Sequence, residues 1–331
     1  MRKTFCWEVI IRWQSNSDEE QGERRESRDS ARFISNNRAL SRVLTERNVL
    51  FLVFCVLASL MAYSSIKDLY TSSSHREYYS HIVLIPLVSI YLIFQKRELI
   101  FSEQKYSFRA GIPFLLMGAL LYFGGRFLGV QLNQNDFASI IALSAVLFVN
   151  GAFILCFGFM AFRAALFPLL FLIFIIPIPS TLMEGIIYFL QVGSTEFTNL
   201  LFMATGVPFL REGFVFHLPG MSVEVAKQCS GIRSSLALFI TALLAGHLFL
   251  RTWWKKVILV ICIFPIAMFK NGIRIVTLTL LGTYVDPRIL QSSLHREGGI
   301  PFFILALVLM GPILYYLRKS ERKDPGSRRL S

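Results

Sequence analysis

The pattern of apolar and polar positions divides the chain into long apolar runs separated by short charged or polar intervals. Runs over Val49–Ile66, Ile112–Val130, Phe137–Phe159, Val257–Leu281 and Ile300–Leu317 have the length a helix needs to cross a bilayer, and Ala164–Ile178 comes close. His81–Phe94 is shorter and spans only if its flanking side chains snorkel. A further run begins around Cys229–Ser235 and ends at Leu250. None shows the two-residue alternation of a membrane barrel strand. Because lipid offers no partners to backbone groups, the pattern predicts an all-α polytopic integral membrane helical bundle of about eight transmembrane helices.

Two intervals break the rhythm. Pro177 and Pro179 stop or kink the fifth run. The stretch Thr181–Thr205 then reads as amphipathic, with Glu184, Gln191, Glu196 and Asn199, and suits a surface helix or one lining a cavity. From Leu210 to Val225 the residues alternate around a Leu218-Pro219-Gly220 turn, which predicts a short hairpin outside the hydrocarbon, before the sixth span.

Composition supports this picture. Of 331 residues, 54% are hydrophobic and 17% charged, with mean hydropathy +0.55, so a membrane protein is favoured over a large soluble core. The net charge of +13 would point to nucleic acid in a soluble protein. Here no base-reading motif accompanies it, and the positive residues cluster in loops and tails, as cytoplasmic segments of membrane proteins do. Lys96, Arg97, Lys105, Arg109, Arg163, Arg251, Lys255, Lys256 and the tail from Arg318 lie on one side of an eight-span topology. Both termini are therefore expected in the cytoplasm of a multi-pass plasma (inner) membrane protein. Residues 1–48 form a polar basic tail, 49–317 the transmembrane domain and 318–331 a second basic tail.

Candidate chemistry begins with the five cysteines. Cys55, Cys156 and Cys262 sit in apolar runs as small core hydrophobes, and Cys6 lies in the N-terminal tail. No C-x-x-C or H-E-x-x-H pattern supports a metal, and no cofactor is expected. Cys229 is different: it opens the sixth helix from the outer side. In the predicted topology Arg274 lies about two turns inside the outer end of the seventh helix, and His295 just precedes the eighth. A thiol, a guanidinium and an imidazole thus fall at one extracytoplasmic level. A thiolate is a nucleophile, an imidazole moves protons near neutral pH, and a guanidinium stabilises an oxyanion. Together they describe acyl transfer through a thioester. Arg233, one turn past Cys229, is placed to pair with Glu224, to meet a lipid phosphate or to assist the thiolate; Ser230 and Asn271 are further supporting candidates. His217 and His247 are not read as catalytic.

Each residue also has an ordinary structural role open to it. A lone Cys at a helix start is usually inert, His295 stands beside Arg296 and Glu297 as a loop residue would, and Arg274 can snorkel to the outer face. A non-enzymatic transporter or an assembly factor for a surface polymer, with Arg274 lining an anion pathway, is the competing reading.

The blocks GVPFLREGFVFHLPG, EVAKQCSGIRSS, NGIRIVTLTLLG and HREGG resemble the exosortase/archaeosortase family in order and spacing, most closely from Gly206 to Gly311. The resemblance implies an integral-membrane cysteine peptidase or transpeptidase. Its partners would be exported proteins with a C-terminal sorting tail: a short motif such as Pro-Glu-Pro, a transmembrane helix and a basic end. It implies Cys229 as nucleophile, Arg274 as the family arginine within the Asn-x-x-Arg element that begins at Asn271, and His295 at the third position, where His marks the bacterial type. The 45-residue polar N-terminal tail and the lack of a soluble domain after the eighth span depart from the pattern and leave the recognised motif open.

Overall fold

The computed structural model describes residues 46–71, 81–102, 105–128, 131–227, 230–286, 288 and 299–323. These form helices α1 (Glu46–Thr71), α2 (Leu84–Gln95), α3 (Arg97–Ile100), α4 (Phe108–Leu128), α5 (Gln134–Phe157), α6 (Phe159–Ala164), α7 (Leu166–Phe171, continued by a 3-10 turn over Leu172–Ile175) and α8 (Ser180–Thr205). Strands β1 (Leu210–Glu212), β2 (Val215–Leu218) and β3 (Met221–Glu224) follow, then α9 (Ile232–Phe249), α10 (Trp253–Tyr284) and α11 (Gly299–Lys323). Six of the helices are long and apolar enough to cross a membrane. A seventh span results if Leu166–Ile175 and Ser180–Thr205 form one broken crossing, and Leu84–Gln95 is a shorter apolar helix. The described architecture is thus the all-α polytopic bundle expected, with the fifth apolar run divided among α6, α7 and the 3-10 turn.

The side chains confirm lipid as the solvent. Phe127 is 86% exposed, and Leu120, Phe123, Leu52 and Leu60 are also turned outward. Apolar surface on this scale would aggregate in water and is the expected coat in hydrocarbon.

The described residues fall into two compact units. In the first, α4 and α5 meet along glycines. A side-chain carbon at Gly111 would lie 2.6 Å from the Leu155 side chain, and one at Gly118 would lie 2.9 Å from the Ser144 carbonyl. Gly111, Gly118 and Gly125 recur every seventh residue, so the contact stays on one face of α4, and small residues let the helix backbones approach where lipid supplies no hydrophobic drive. Phe51 packs edge-on against Phe153 and Phe157 at centroid distances of 5.6 and 5.3 Å.

The second unit contains the sheet and α8 to α11. The break before α8 follows from its two prolines, which interrupt helical bonding and leave carbonyls to satisfy. The first turn of α5 does so. Asn135 Nδ2 donates to the Ile178 carbonyl at 2.8 Å, Ser139 Oγ donates to the Pro177 carbonyl at 2.8 Å, and Asp136 Oδ1 accepts the Ser180 N–H at 2.6 Å. The helix start at Asn133–Asp136 therefore caps α5 itself and α8 as well.

Helix α10 is the hub of this unit, packing against α8, α9 and α11. Its start is capped by α11: the Glu321 carboxylate accepts the N–H groups of Arg251 and Thr252, and Lys255 Nζ donates to Ser320 Oγ at 2.8 Å. Exposed Trp253 and Trp254 at that end suit the membrane–water interface.

Helix α8 is amphipathic in the sense a membrane requires. Gln191, Ser194, Thr195 and Thr198 share one face at spacings of three and four and are buried, whereas Leu182, Tyr188, Phe189, Leu200 and Met203 point outward. Among the alternatives read from the sequence, α8 is thus a helix with its polar face turned inward. The expected hairpin is a three-stranded antiparallel meander in the order β1-β2-β3, because Gly213 (φ 59°) supplies a second tight turn besides the one at Gly220 (φ 84°).

Candidate active site

The site is built where the sheet returns to the bundle. Phe216, Leu218 and Val225 bury against Phe202 of α8 and Ile275 and Val276 of α10. Arg211 anchors β1 to α8 through a bidentate pair with Glu196, at 3.1 and 2.7 Å, which pushes the guanidinium pKa up. Gln191 Nε2 donates to the Val225 carbonyl at 2.6 Å, fixing the chain as it leaves β3. The sheet therefore lies alongside the last turns of α10, with Thr283 Oγ1 3.7 Å from Met221 Sδ.

From Val225 the chain turns into α9. Gly231 takes φ 73°, a left-handed conformation that favours glycine, and stands at the N-cap. The Asn271 side chain fills the space a β-carbon would need: its Oδ1 would be 2.8 Å from that carbon. Asn271 is fully buried and donates from Nδ2 to Ser194 Oγ of α8 at 3.1 Å. Ser234 and Ser235 return their hydroxyls to the Gly231 carbonyl at 3.0 and 2.8 Å. Residues from three helices thus converge on the one turn that follows Cys229 in sequence. The crossing is close because Gly272 of α10 faces Phe197 and Thr198 and Gly193 of α8 faces Met268.

Cys229 and His295 lie outside the described residues. Ser230 is buried, and its Oγ has no hydrogen-bond partner among them. Asn271 meets Gly231, so these two supporting candidates share a site. Arg274 is half-buried on the same helix, one residue short of a turn from Asn271. Arg233 and Glu224 are both exposed and form no ion pair with each other. His217 is engaged in the sheet, with Nδ1 2.8 Å from Ser222 Oγ.

The depth of the site differs from the simple topological expectation. α10 runs past Leu281 to Tyr284, so Arg274 lies ten residues, or about 15 Å, inside its end. The meander occupies the intervening turns, and the Gly231 turn meets α10 at Asn271, beneath the sheet.

Sequence reasoning passed over Lys270. It is 2% exposed, sits four residues before Arg274 on the same helix face, and donates from Nζ to Ser234 Oγ. The signal was present: a charge near the middle of a spanning helix costs at least about 2.5 kcal/mol and marks a functional group by default, for Lys270 as for Arg274. Ser194 and Ser234 carried no such signal, being common in apolar helices. Among the described residues no group of His, Cys, Asp or Glu has the arrangement to hold a metal ion.

These features define a class: a polytopic helical membrane protein with a buried, positively charged polar site at the Gly231 turn. The family model for the transmembrane exosortases (Exosortase_EpsH) matches residues 72–311, and the chain belongs to that family. None of the curated proteins and none of the solved structures compared with the chain matches it. Family membership supports a membrane-embedded sorting transpeptidase as the general function, and covers Cys229, Arg274 and His295 within the matched range.

Proposed function

We propose that this protein is a cysteine transpeptidase or protease that removes the C-terminal sorting tail of exported proteins through a thioester on Cys229. The observation that carries the reading is the Gly231 turn, held in a left-handed conformation by Asn271 and bonded to Ser234 and Ser235, directly after that cysteine. A helix start and nearby cations are the two features that lower a thiol pKa, and both belong to this turn.

In the proposed reaction the Cys229 thiolate attacks the scissile amide carbonyl, forming a carbon–sulfur bond and a tetrahedral oxyanion. Arg274 stabilises that charge. Collapse breaks the carbon–nitrogen bond, and the departing amine takes a proton from the His295 imidazolium. The neutral imidazole then accepts a proton from the attacking group, water or an acceptor nucleophile, which displaces the thiolate and frees the product. The tail's own membrane helix would bring its scissile bond to the outer face, with both termini of the enzyme in the cytoplasm of the inner membrane.

The test is co-expression with a substrate bearing a Pro-Glu-Pro-type tail, helix and basic end, followed by intact mass. Tail loss with the parent chain and none with Cys229→Ala is the expected outcome, and the mass at the new C-terminus separates hydrolysis from transfer. Equal processing by Cys229→Ala would overturn the thioester. A function that tolerates Cys229→Ala would point to the transport or assembly reading.

A further inference from the structure

The first turn of α9 holds more donors than acceptors. Gly231 stands at its N-cap without a side chain, and no side chain caps the helix. The N–H groups of Ile232, Arg233 and Ser234 are the unpaired donors of a helix start, and no backbone carbonyl of the described residues accepts them. The Gly231 carbonyl already takes three donors, the hydroxyls of Ser234 and Ser235 and the Ser235 N–H. At an exposed helix start water serves such groups. Here Ser230, Gly231 and Ile232 are all buried.

Two side chains add donors to the same turn. Ser230, which precedes the cap, is 1% exposed, and its Oγ has no hydrogen-bond partner among the described residues. Lys270 of α10 is 2% exposed and gives one N–H to Ser234 Oγ, where a protonated amine has three to give. Among the described residues no carboxylate pairs with it. The helices packed on α10 supply none: Glu184 and Glu196 of α8 are exposed, the latter on Arg211, α9 carries only Arg233 and His247, and Glu321 of α11 caps the far end of α10. A helix N-terminus, a hydroxyl and an amine, all shielded from water, together suit an anion. The amine need not stand charged alone, because an opposite charge beside it favours its protonated form, so that proton and anion bind together. The anion a polypeptide brings is a carboxylate. Resting on the reading that this chain processes polypeptides, we propose that the first turn of α9, Ser230 and Lys270 form a binding site for a side-chain carboxylate of the substrate. Ser230 and Lys270 are its specificity-determining residues: an amide in place of the carboxylate would leave buried donors without a charged acceptor.

The experiment follows thermal unfolding of the detergent-solubilised full chain against added N-acetylglutamate amide, N-acetylglutamine amide or inorganic phosphate, at one pH and one ionic strength. A ligand that binds the folded chain raises Tm in a saturable way. The glutamate compound should do so for the parent chain and the glutamine compound should not. Lys270→Gln should abolish the rise, and Ser230→Ala should weaken the apparent affinity about tenfold. Lys319→Gln, which removes an exposed cation of α11, should keep the parent's response. Ser230→Ala carries the test if Lys270→Gln does not fold. No rise with the parent chain, an equal rise with the glutamine compound, or a rise that both site variants retain would each overturn the proposal. A rise with phosphate alone would overturn it in favour of a phosphate ligand such as a lipid headgroup. Binding is read without turnover, so failure here leaves the processing test with Cys229→Ala to decide the reaction separately.

Discussion

A side chain at position 231 has nowhere to go. Its β-carbon would lie 2.8 Å from Asn271 Oδ1, and its φ of 73° is a conformation that L-residues adopt at a cost of about 1–2 kcal/mol. Asn271 cannot yield easily, being fully buried and bonded to Ser194. Gly231→Ala should therefore lower stability by about 2 kcal/mol and, if Cys229 is the nucleophile proposed above, abolish tail processing, because the turn follows that residue directly in sequence. Gly246, in the body of α9, provides the contrast: a β-carbon there meets nothing closer than 3.6 Å, and alanine is the better helix former. Gly246→Ala should leave processing intact and raise the melting temperature slightly. Thermal unfolding in detergent, read beside tail release, checks both. At this scale the sequence marked Ser230 and Asn271 by their motif but could not show that they share one turn, since that contact joins residues forty positions apart. Lys270 was legible as a second charge in the same apolar run as Arg274, whereas its bond to Ser234 was not, because that contact joins two helices.

Among the elements, α8 shows what a pattern leaves out. Its polar letters Glu184, Gln191, Glu196 and Asn199 suggested an amphipathic helix, yet the buried face is Gln191, Ser194, Thr195 and Thr198. Thr195 and Thr198 return their hydroxyls to carbonyls one turn back, at 2.8 and 2.7 Å, and so count as small, nearly apolar surface. The carboxylates look more polar but face outward, Glu196 to Arg211. The start of the helix was legible from its prolines, whereas its cap was not, because the capping residue is Asp136 on α5. Asp136→Ala removes the acceptor of the Ser180 N–H and should cost about 1–2 kcal/mol; Asp136→Asn keeps an oxygen there and should cost less. Melting of the two variants in detergent checks the order. Equal loss in both would mean that charge, and not the hydrogen bond, holds the helix start.

For the whole molecule, hydropathy read the class and most of the spans, because lipid admits few alternatives to the helix. It blurred where apolar length is ambiguous, and the orientation of the chain depends on two such places. Six long helices make six crossings, and seven if the bent pair crosses as one broken span; α2 decides whether there is one more. With twelve residues α2 is about 18 Å long, short of a hydrocarbon core of about 30 Å. Two features extend it. A turn at His81 feeds its N-terminus, with the Leu84 N–H on the His81 carbonyl, and α3 follows after a single residue. Arg97 folds back over the Phe94 ring at 4.4 Å, as a snorkelling residue at an interface would. Eight crossings leave both termini on one side, and the run of Arg318, Lys319, Arg322, Lys323, Arg328 and Arg329 favours the cytoplasm for the last of them. Epitope tags at residue 1 and after residue 331 should both resist external protease in sealed spheroplasts and both be cut after lysis. If the N-terminal tag alone is cut from outside, one of the two, α2 or the bent pair, does not cross, and the Gly231 turn keeps its side of the membrane because every span from α9 onward is unchanged. If the C-terminal tag is cut instead, the turn itself faces the cytoplasm, and an enzyme acting on exported tails could not use it.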